Sequence, residues 1–188
     1  KKINRYSQII KDENNRLKNQ VERVLQLAFL GHDSLSLNPS TCSAKSLLQR
    51  ALAPYVLNLE KTGGSMTVKG KDVMLYVDDH HMVHLFSNLI DNAIKYSKTK
   101  PEIQVKLDMI DKMAIISITD NGIGINEKEQ KNIFKKFYRV PTGNVHDTKG
   151  FGIGLNYVKS IVDLHKGRIK VESNTNQGTT FTLYIPAS

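Results

Sequence analysis

Apolar positions change their spacing several times along the chain, and each change marks an element. Over residues 1–30, Ile3, Ile10, Leu17 and Val24 recur every seven residues, with Val21, Leu25 and Ala28 widening the stripe. That spacing predicts one long helix with a narrow apolar seam, and such a seam calls for a partner helix. Residues 35–41 alternate as a short edge strand, with Pro39 compatible only with an edge. Residues 43–61 read as a helix whose apolar face carries Leu47, Leu48, Ala51, Leu52, Tyr55, Val56 and Leu59, stopped by Gly63 and Gly64. Strands follow at 65–69 and 73–78, joined by a turn around Gly70. A helix over 79–97 presents Val83, Phe86, Leu89, Ile90 and Ile94. Residues 102–110 and 113–119 predict a hairpin through Asp111 and Lys112. After a glycine-rich turn at 120–124 come a short helix at 127–134 and a polar stretch to 150. A helix at 152–165 and a hairpin of 168–173 with 179–185 close the chain.

Hairpins demand antiparallel pairing, and the order of elements lacks regular strand–helix–strand alternation. The expected fold is α+β: a two-layer sandwich of a mixed, mostly antiparallel sheet with helices on one face, preceded by the long N-terminal helix. The expected division is 1–31 for the helix and 35–188 for the globular part. The chain opens on Lys1 inside the helical pattern, which reads as a piece of a longer protein.

Three clusters carry chemistry. Asn88, Asn92, Lys95 and Tyr96 fall at i, i+4, i+7 and i+8 of the helix over 79–97, hence on one face. Amide oxygens suit a hard cation such as Mg²⁺, and a lysine suits phosphate. Asp120 ends a β-rich run and is followed by Gly122, Gly124 and Ile125. Glycines there let backbone approach a ligand, and the carboxylate can accept a hydrogen bond from the exocyclic amine of a purine. Lys149, Gly150, Phe151, Gly152, Gly154 and Leu155 open a helix, where free N–H groups favour an anion. The spacing is G-x-G-x-G, which matches neither the dinucleotide fingerprint nor the P-loop. Each cluster alone is no more than a turn or a surface; the three in this order are not accounted for by structure alone.

In that order they resemble the ATP-binding catalytic domain of sensor histidine kinases, of the Bergerat superfamily shared with gyrase, Hsp90 and MutL. The asparagine box is NLIDNAIKYS, the first glycine box DNGIGI, the phenylalanine box IFKKFYRV (Ile133 to Val140) and the second glycine box GFGIGL; Gly178 to Phe181 read GTTF, as in the third glycine motif. The resemblance covers residues 35–186, and residues 1–30 resemble the second helix of the family's dimerisation hairpin. It implies that Asn88 ligates Mg²⁺, that Asn92 and Lys95 contact phosphates, and that Tyr96 lies near adenine or ribose. Asp120 would accept from the adenine amine, with Gly122, Gly124 and Ile125 forming the pocket floor. Tyr138 and Arg139 would stand at the start of a lid over 140–152, Arg139 approaching the phosphates. Lys149, Gly150, Phe151, Gly152 and Gly154 would form its hinge and phosphate-side backbone, and Leu155 and Thr179 or Thr180 would line the nucleotide. Phe134 and Phe137 are expected to pack between lid and body.

The resemblance further implies ATP and Mg²⁺ as cofactors, a homodimer formed through the N-terminal helix in the full-length protein, and a response-regulator receiver domain as partner. It implies a cytoplasmic domain of a membrane-anchored sensor. The family's phosphoacceptor His lies on the first dimerisation helix and would precede residue 1. His32-Asp33 mimics the acceptor dipeptide but follows the long helix. This stretch is therefore expected to bind ATP without phosphorylating itself. His80 and His84 have the i, i+4 spacing of a zinc pair but lack completing ligands, and His146 and His165 read as surface histidines. A gyrase-type ATPase or an anti-sigma-factor kinase remains the alternative within the superfamily; the phenylalanine box and the amphipathic helix argue against it.

Composition sharpens this. The net charge is +9 and Cys42 is the lone cysteine, so no disulfide forms within the chain, in keeping with a reducing compartment. No apolar run reaches the ~18–20 residues of a membrane span. A basic chain invites nucleic acid, but the excess is local. Residues 1–24 hold seven cations against three carboxylates and residues 128–149 hold six against two, leaving +1 elsewhere. Charge beside a triphosphate pocket explains the second group without nucleic acid or membrane as a partner.

Overall fold

The computed structural model describes residues 37–97, 100–140 and 151–187, together with Tyr6 and Glu13. The long helix expected over 1–30 lies outside the described residues except at Tyr6 and Glu13, which are both helical. The chain divides into two compact units, 1–36 and 37–188. The second unit follows.

Its elements run β1 (Ser40–Ser43), α1 (Ala44–Leu52), α2 (Val56–Thr62), β2 (Ser65–Lys69), β3 (Met74–Val77), α3 (Asp79–Lys95), β4 (Glu102–Ile110), β5 (Met113–Asp120), α4 (Glu127–Gln130), α5 (Gly154–Leu164), β6 (Arg168–Ser173) and β7 (Thr179–Pro186). Five strands form one sheet in the order β2-β4-β5-β7-β6. The β2–β4 pair is parallel and the other three are antiparallel, giving the expected mixed sheet. Period-two alternation sends Ile103, Val105 and Leu107 of β4, Ala114, Ile116 and Ile118 of β5, and Phe181, Leu183 and Ile185 of β7 into one buried face. Helices cover that face. Met82, Leu85, Phe86, Leu89 and Ile90 of α3 and Val158, Ile161 and Val162 of α5 are each fully buried or nearly so. α1 packs on α3, and α3 on α5. The other sheet face keeps the polar partners of the alternation, such as Lys106, Ser117, Thr182 and Lys170.

Several elements depart from the expectation. The strand expected at 35–41 begins only at Ser40, beyond Pro39, and runs to Ser43. The single helix expected over 43–61 is two. Pro54 has no N–H to continue the ladder, so α1 ends at Leu52 and a 3₁₀ turn over Ala53–Tyr55 redirects the chain into α2. β2 and β3, although consecutive, do not share a sheet: β2 joins β4, while β3 pairs with β1 in a separate antiparallel ribbon. Gly70 permits the divergence, with φ +101° and a position where any Cβ would lie 2.0 Å from the Leu107 carbonyl oxygen. The helix expected over 127–134 is a single turn, Glu127–Gln130, followed by further turns. α5 begins at Gly154 rather than 152, because Gly152 is left-handed at φ +69°.

His165 is not a surface residue. It caps the end of α5 at 9% exposure, and its ring is fully used. Nε2 accepts from the Asp78 N–H at 2.9 Å, so the proton sits on Nδ1, which donates to the Ile161 carbonyl at 2.8 Å. Asp78 in turn caps α3, its carboxylate accepting from the His81 N–H at 3.0 Å. Burial pushes the Asp78 carboxyl up, but hydrogen bonds from the Asn38 and His81 amides outweigh it and hold the group below its ordinary value. His165 thus ties the end of α5 to the start of α3, two helices that also meet at the site described next. His165→Ala orphans the buried Asp78 N–H and leaves a void where the ring was, while the Ile161 carbonyl keeps the residue-165 N–H; the change is expected to cost about 2–4 kcal/mol. A thermal melt would then fall by roughly 5–15 °C; an unchanged midpoint refutes the tie.

Candidate functional site

The site is assembled where β5 ends, α3 ends and α5 begins. Asp120 is the last residue of β5, and its backbone pairs with Thr179 of β7. Its Oδ1 accepts two backbone N–H groups, from Gly122 at 2.8 Å and from Thr179 at 3.2 Å. Burial pushes the carboxyl above its ordinary value, with those two bonds pulling against it. The turn after Asp120 folds so closely that a Cβ on Gly122 would lie 2.8 Å from Asp120 Oδ1 and 2.9 Å from the Tyr96 carbonyl oxygen. Gly124, at φ +69°, presses on the β6–β7 turn, where a Cβ would lie 1.9 Å from the Asn174 carbonyl oxygen. Ile123 N–H donates to the Tyr96 carbonyl at 3.0 Å, so the glycine turn is stitched to the end of α3.

Ser173, which the sequence reading did not single out, holds this corner together. Its Oγ accepts from Ile125 N–H at 2.8 Å, donates to the Gly178 carbonyl at 2.7 Å and lies 2.9 Å from Thr179 Oγ1. Nothing in a lone serine at a strand end advertises that role. The register that sends Thr179 inward sends Thr180 outward: Thr180 pairs with Thr119 on the opposite sheet face, hydroxyl to hydroxyl at 2.9 Å. Thr180 therefore does not line this pocket, and Thr179, 6% exposed, is the threonine beside Asp120.

The second wall is α3. Asn88 Nδ2 donates to the His84 carbonyl at 2.8 Å, which turns Oδ1 toward the first residue of α5. A Cβ on Gly154 would lie 2.6 Å from that oxygen. Among the described residues no hydrogen bond is donated to Oδ1. Asn92 follows one turn along the same face and is half-buried. Lys95 Nζ lies 5.2 Å from the Tyr96 ring centroid. Tyr96 is half-buried; burial pushes its phenol up, nearby Arg139 pulls it down, and Asp91 adds to the rise. Arg139 thus lies near enough to the end of α3 for its charge to act on the Tyr96 phenol.

Of the remaining expected residues, Leu155 is half-buried in the first turn of α5, and Phe151 is 61% exposed. Tyr138 donates its hydroxyl to the Glu129 carboxylate of α4. Lys149 and Gly150, like most of the lid expected over 140–152, lie outside the described residues. Phe134 packs as expected, edge-on to Phe181 at 6.4 Å. Phe137 does not. Its backbone is left-handed at φ +64°, which turns the ring outward to 60% exposure with Lys136 Nζ over it. His80 and His84 stack edge to face at 4.7 Å, and no cluster of three metal-ligating side chains exists among the described residues.

A carboxylate fixed by backbone amides, glycines crowding it, and a helix-borne amide facing a glycine helix start thus meet at one corner of the fold. Residues 77–188 match the profile described as histidine kinase-, DNA gyrase B-, and HSP90-like ATPase. The chain belongs to that family.

Within the family its relatives are sensor kinases. It is 39% identical over 184 residues to the sensor protein RprX of Bacteroides fragilis, covering 96% of this chain and 36% of RprX. It is 34% identical over 179 residues to the signal transduction histidine-protein kinase ArlS of Staphylococcus aureus, covering 92% of this chain and 38% of ArlS. The chain thus spans little more than a third of these relatives. Among solved structures, the mycobacterial sensor histidine kinase MprB superposes with a TM-score of 0.69 at 25% identity, over 79% of this chain and 97% of that one. Full-length ShkA, solved with AMPPNP, superposes with a TM-score of 0.81 at 20% identity, over 97% of this chain and 38% of that one, and supports the fold. The chain is accordingly an ATP-binding catalytic domain of the sensor histidine kinase type.

Proposed function

We propose that this domain binds Mg-ATP between the end of α3, the glycine turn after Asp120 and the start of α5. The γ-phosphoryl group then passes to a histidine on a dimerisation helix of the same or the partner subunit, for relay to an aspartate of a response-regulator receiver domain. The observation that carries the reading is Asp120: both amide bonds land on Oδ1, leaving Oδ2 for the exocyclic amine of adenine. Gly122 and Thr179 hold that carboxylate in place, and Gly124 and Ile125 fix the turn behind it against the β6–β7 corner. Lys95 and Arg139 are the groups to neutralise the phosphates, with Asn92 and the amides around Gly154 donating hydrogen bonds to them; Lys149, Gly150, Phe151 and Leu155 complete the assignment on the lid side.

The residues fit Mg²⁺. Asn88 presents an amide oxygen to which no described residue donates a hydrogen bond, a hard donor of the type Mg²⁺ takes alongside phosphate oxygens. Bound there, the ion would supply charge neutralisation, and Asn88 would orient it. Phosphoryl transfer asks for such alignment and electrostatic stabilisation more than covalent help from the protein. In the longer protein, the proposal includes a homodimer through the 1–31 segment and a cytoplasmic placement beneath a membrane anchor. Among the described residues no helix is long and apolar enough to cross a membrane.

A fluorescent ATP-analogue titration with and without Mg²⁺ tests the reading. Saturable binding that ATP competes away and Mg²⁺ strengthens is expected. The 188-residue chain should bind while acquiring no phosphohistidine; stable radiolabel on His32 would overturn that part, and absence of binding would overturn the whole.

A further inference from the structure

We propose that Asn156 is a positioning residue: its side-chain amide holds the segment that presents Arg139 to the nucleotide phosphates. The inference rests on the ATP-site reading above. Asn156 stands in the first turn of α5, two residues after the Gly154 that faces Asn88. Its Nδ2 donates to the Phe134 carbonyl at 2.9 Å, across 22 residues of chain. That carbonyl belongs to a run of tight turns over 131–137 with no helix or strand of its own. The run is anchored upstream by Ile133, 5% exposed, and by the Phe134 ring on Phe181.

Downstream of Phe134 the chain reverses through the left-handed Phe137, whose N–H donates to the Gly152 carbonyl at 2.9 Å. Gly152 is left-handed as well, and a Cβ there would lie 2.5 Å from the Tyr138 carbonyl oxygen. The strands of backbone leaving at 138 and returning at 152 are thus clasped together. A left-handed phenylalanine persists only where its surroundings over-determine it. Asn156 supplies a side-chain bond that ties the run leading into this clasp to α5, and Arg139 is the second residue beyond the reversal. One helical turn therefore sets both the Gly154 wall against Asn88 and the platform for Arg139. The Asn156 amide is engaged on the Phe134 carbonyl, so it acts through Arg139.

A double-mutant cycle between Asn156→Leu and Arg139→Ala reads this, with Mg-ATP and AMP as ligands for the 188-residue chain. Leucine keeps the γ-branched shape of asparagine and removes the donor. Asn156→Leu is expected to weaken Mg-ATP about 10-fold, the worth of one well-placed hydrogen bond, and AMP less than about 2-fold. In the Arg139→Ala background it should change Mg-ATP affinity by less than about 2-fold, since the residue it acts through is gone. A merely structural asparagine would weaken both ligands alike and additively with Arg139→Ala, and either result overturns the proposal. If the leucine variant does not fold, Asn156→Ala is put through the same cycle with the same criteria. Failure of the ATP-site reading is distinguishable, because it shows in the unmodified chain as absent ATP binding before any variant is made.

Discussion

Asp120→Asn is expected to weaken ATP binding about 100-fold and leave the fold intact. The two backbone donors, Gly122 N–H and Thr179 N–H, both point at Oδ1. An asparagine satisfies them only with its carbonyl in that place, which puts its NH₂ where Oδ2 was. A donor then faces the donor of adenine. The loss is a charge-assisted hydrogen bond, about 1.5–3 kcal/mol, with about 1.4 kcal/mol for each factor of ten. Stability should move little, because the backbone bonds survive and a carboxylate that burial penalises becomes neutral. Titration gives a second readout. Burial raises the Asp120 carboxyl above its ordinary value, so the folded chain binds this proton more readily than the unfolded chain. Its contribution to stability therefore declines as pH rises through the window between those two values. ATP responds oppositely: the carboxylate is the form that accepts, so affinity should rise through the same window in the unmodified protein and lack that rise in Asp120→Asn. Equal ATP affinity in the two proteins would remove Asp120 from the site.

That prediction uses a residue legible in the sequence, and the reasons it was legible are local. Asp120 closes a strongly alternating run, and Gly122 and Gly124 follow at once, so strand end, ligand-facing carboxylate and close backbone approach are all encoded within five residues. The β4–β5 hairpin is similarly local: Asp111 adopts φ 54° in the two-residue turn where it was expected. Illegible features depend on partners far along the chain. Alternation tells which residues of β2 and β3 share a face but not which strand each one pairs with, and they separate into different sheets. Whether Thr179 or Thr180 faces the pocket turns on a one-residue register set by Asp120 across the β5–β7 ladder, 59 residues away. Burial of His165 arises because the Asp78 amide, 87 residues earlier, needs an acceptor. Pro54 was visible, yet the apolar face continues past it from Leu52 to Leu59, and periodicity alone read two helices as one. Phe137 reverses its chain because Gly152 accepts its N–H, a bond between the two ends of the segment and not a property of the phenylalanine.

Gly154→Ala separates the metal's share of binding from the nucleotide's. Alanine is the better helix former by up to about 1 kcal/mol, which offsets the loss of one side-chain hydrogen bond, so the variant should melt close to the parent. The added methyl, however, would sit 2.6 Å from Asn88 Oδ1, well inside contact distance, with no other atom of its surroundings closer than 3.6 Å. Oδ1 is the end of a side chain, so it yields and the helices do not. Yielding means rotating the Asn88 amide, which also breaks its 2.8 Å anchor on the His84 carbonyl. The oxygen proposed for Mg²⁺ is then misplaced by an ångström or so while Asp120, Gly122 and Thr179 are untouched. Mg-ATP affinity is expected to fall about 30-fold, corresponding to about 2 kcal/mol, and metal-free ATP binding by less than about 3-fold. Titrations with and without Mg²⁺ measure the difference directly. An equal loss in both would mean that the methyl obstructs the nucleotide itself, and would take Asn88 out of the metal site. No loss in either would mean that this helix start does not face the phosphates at all.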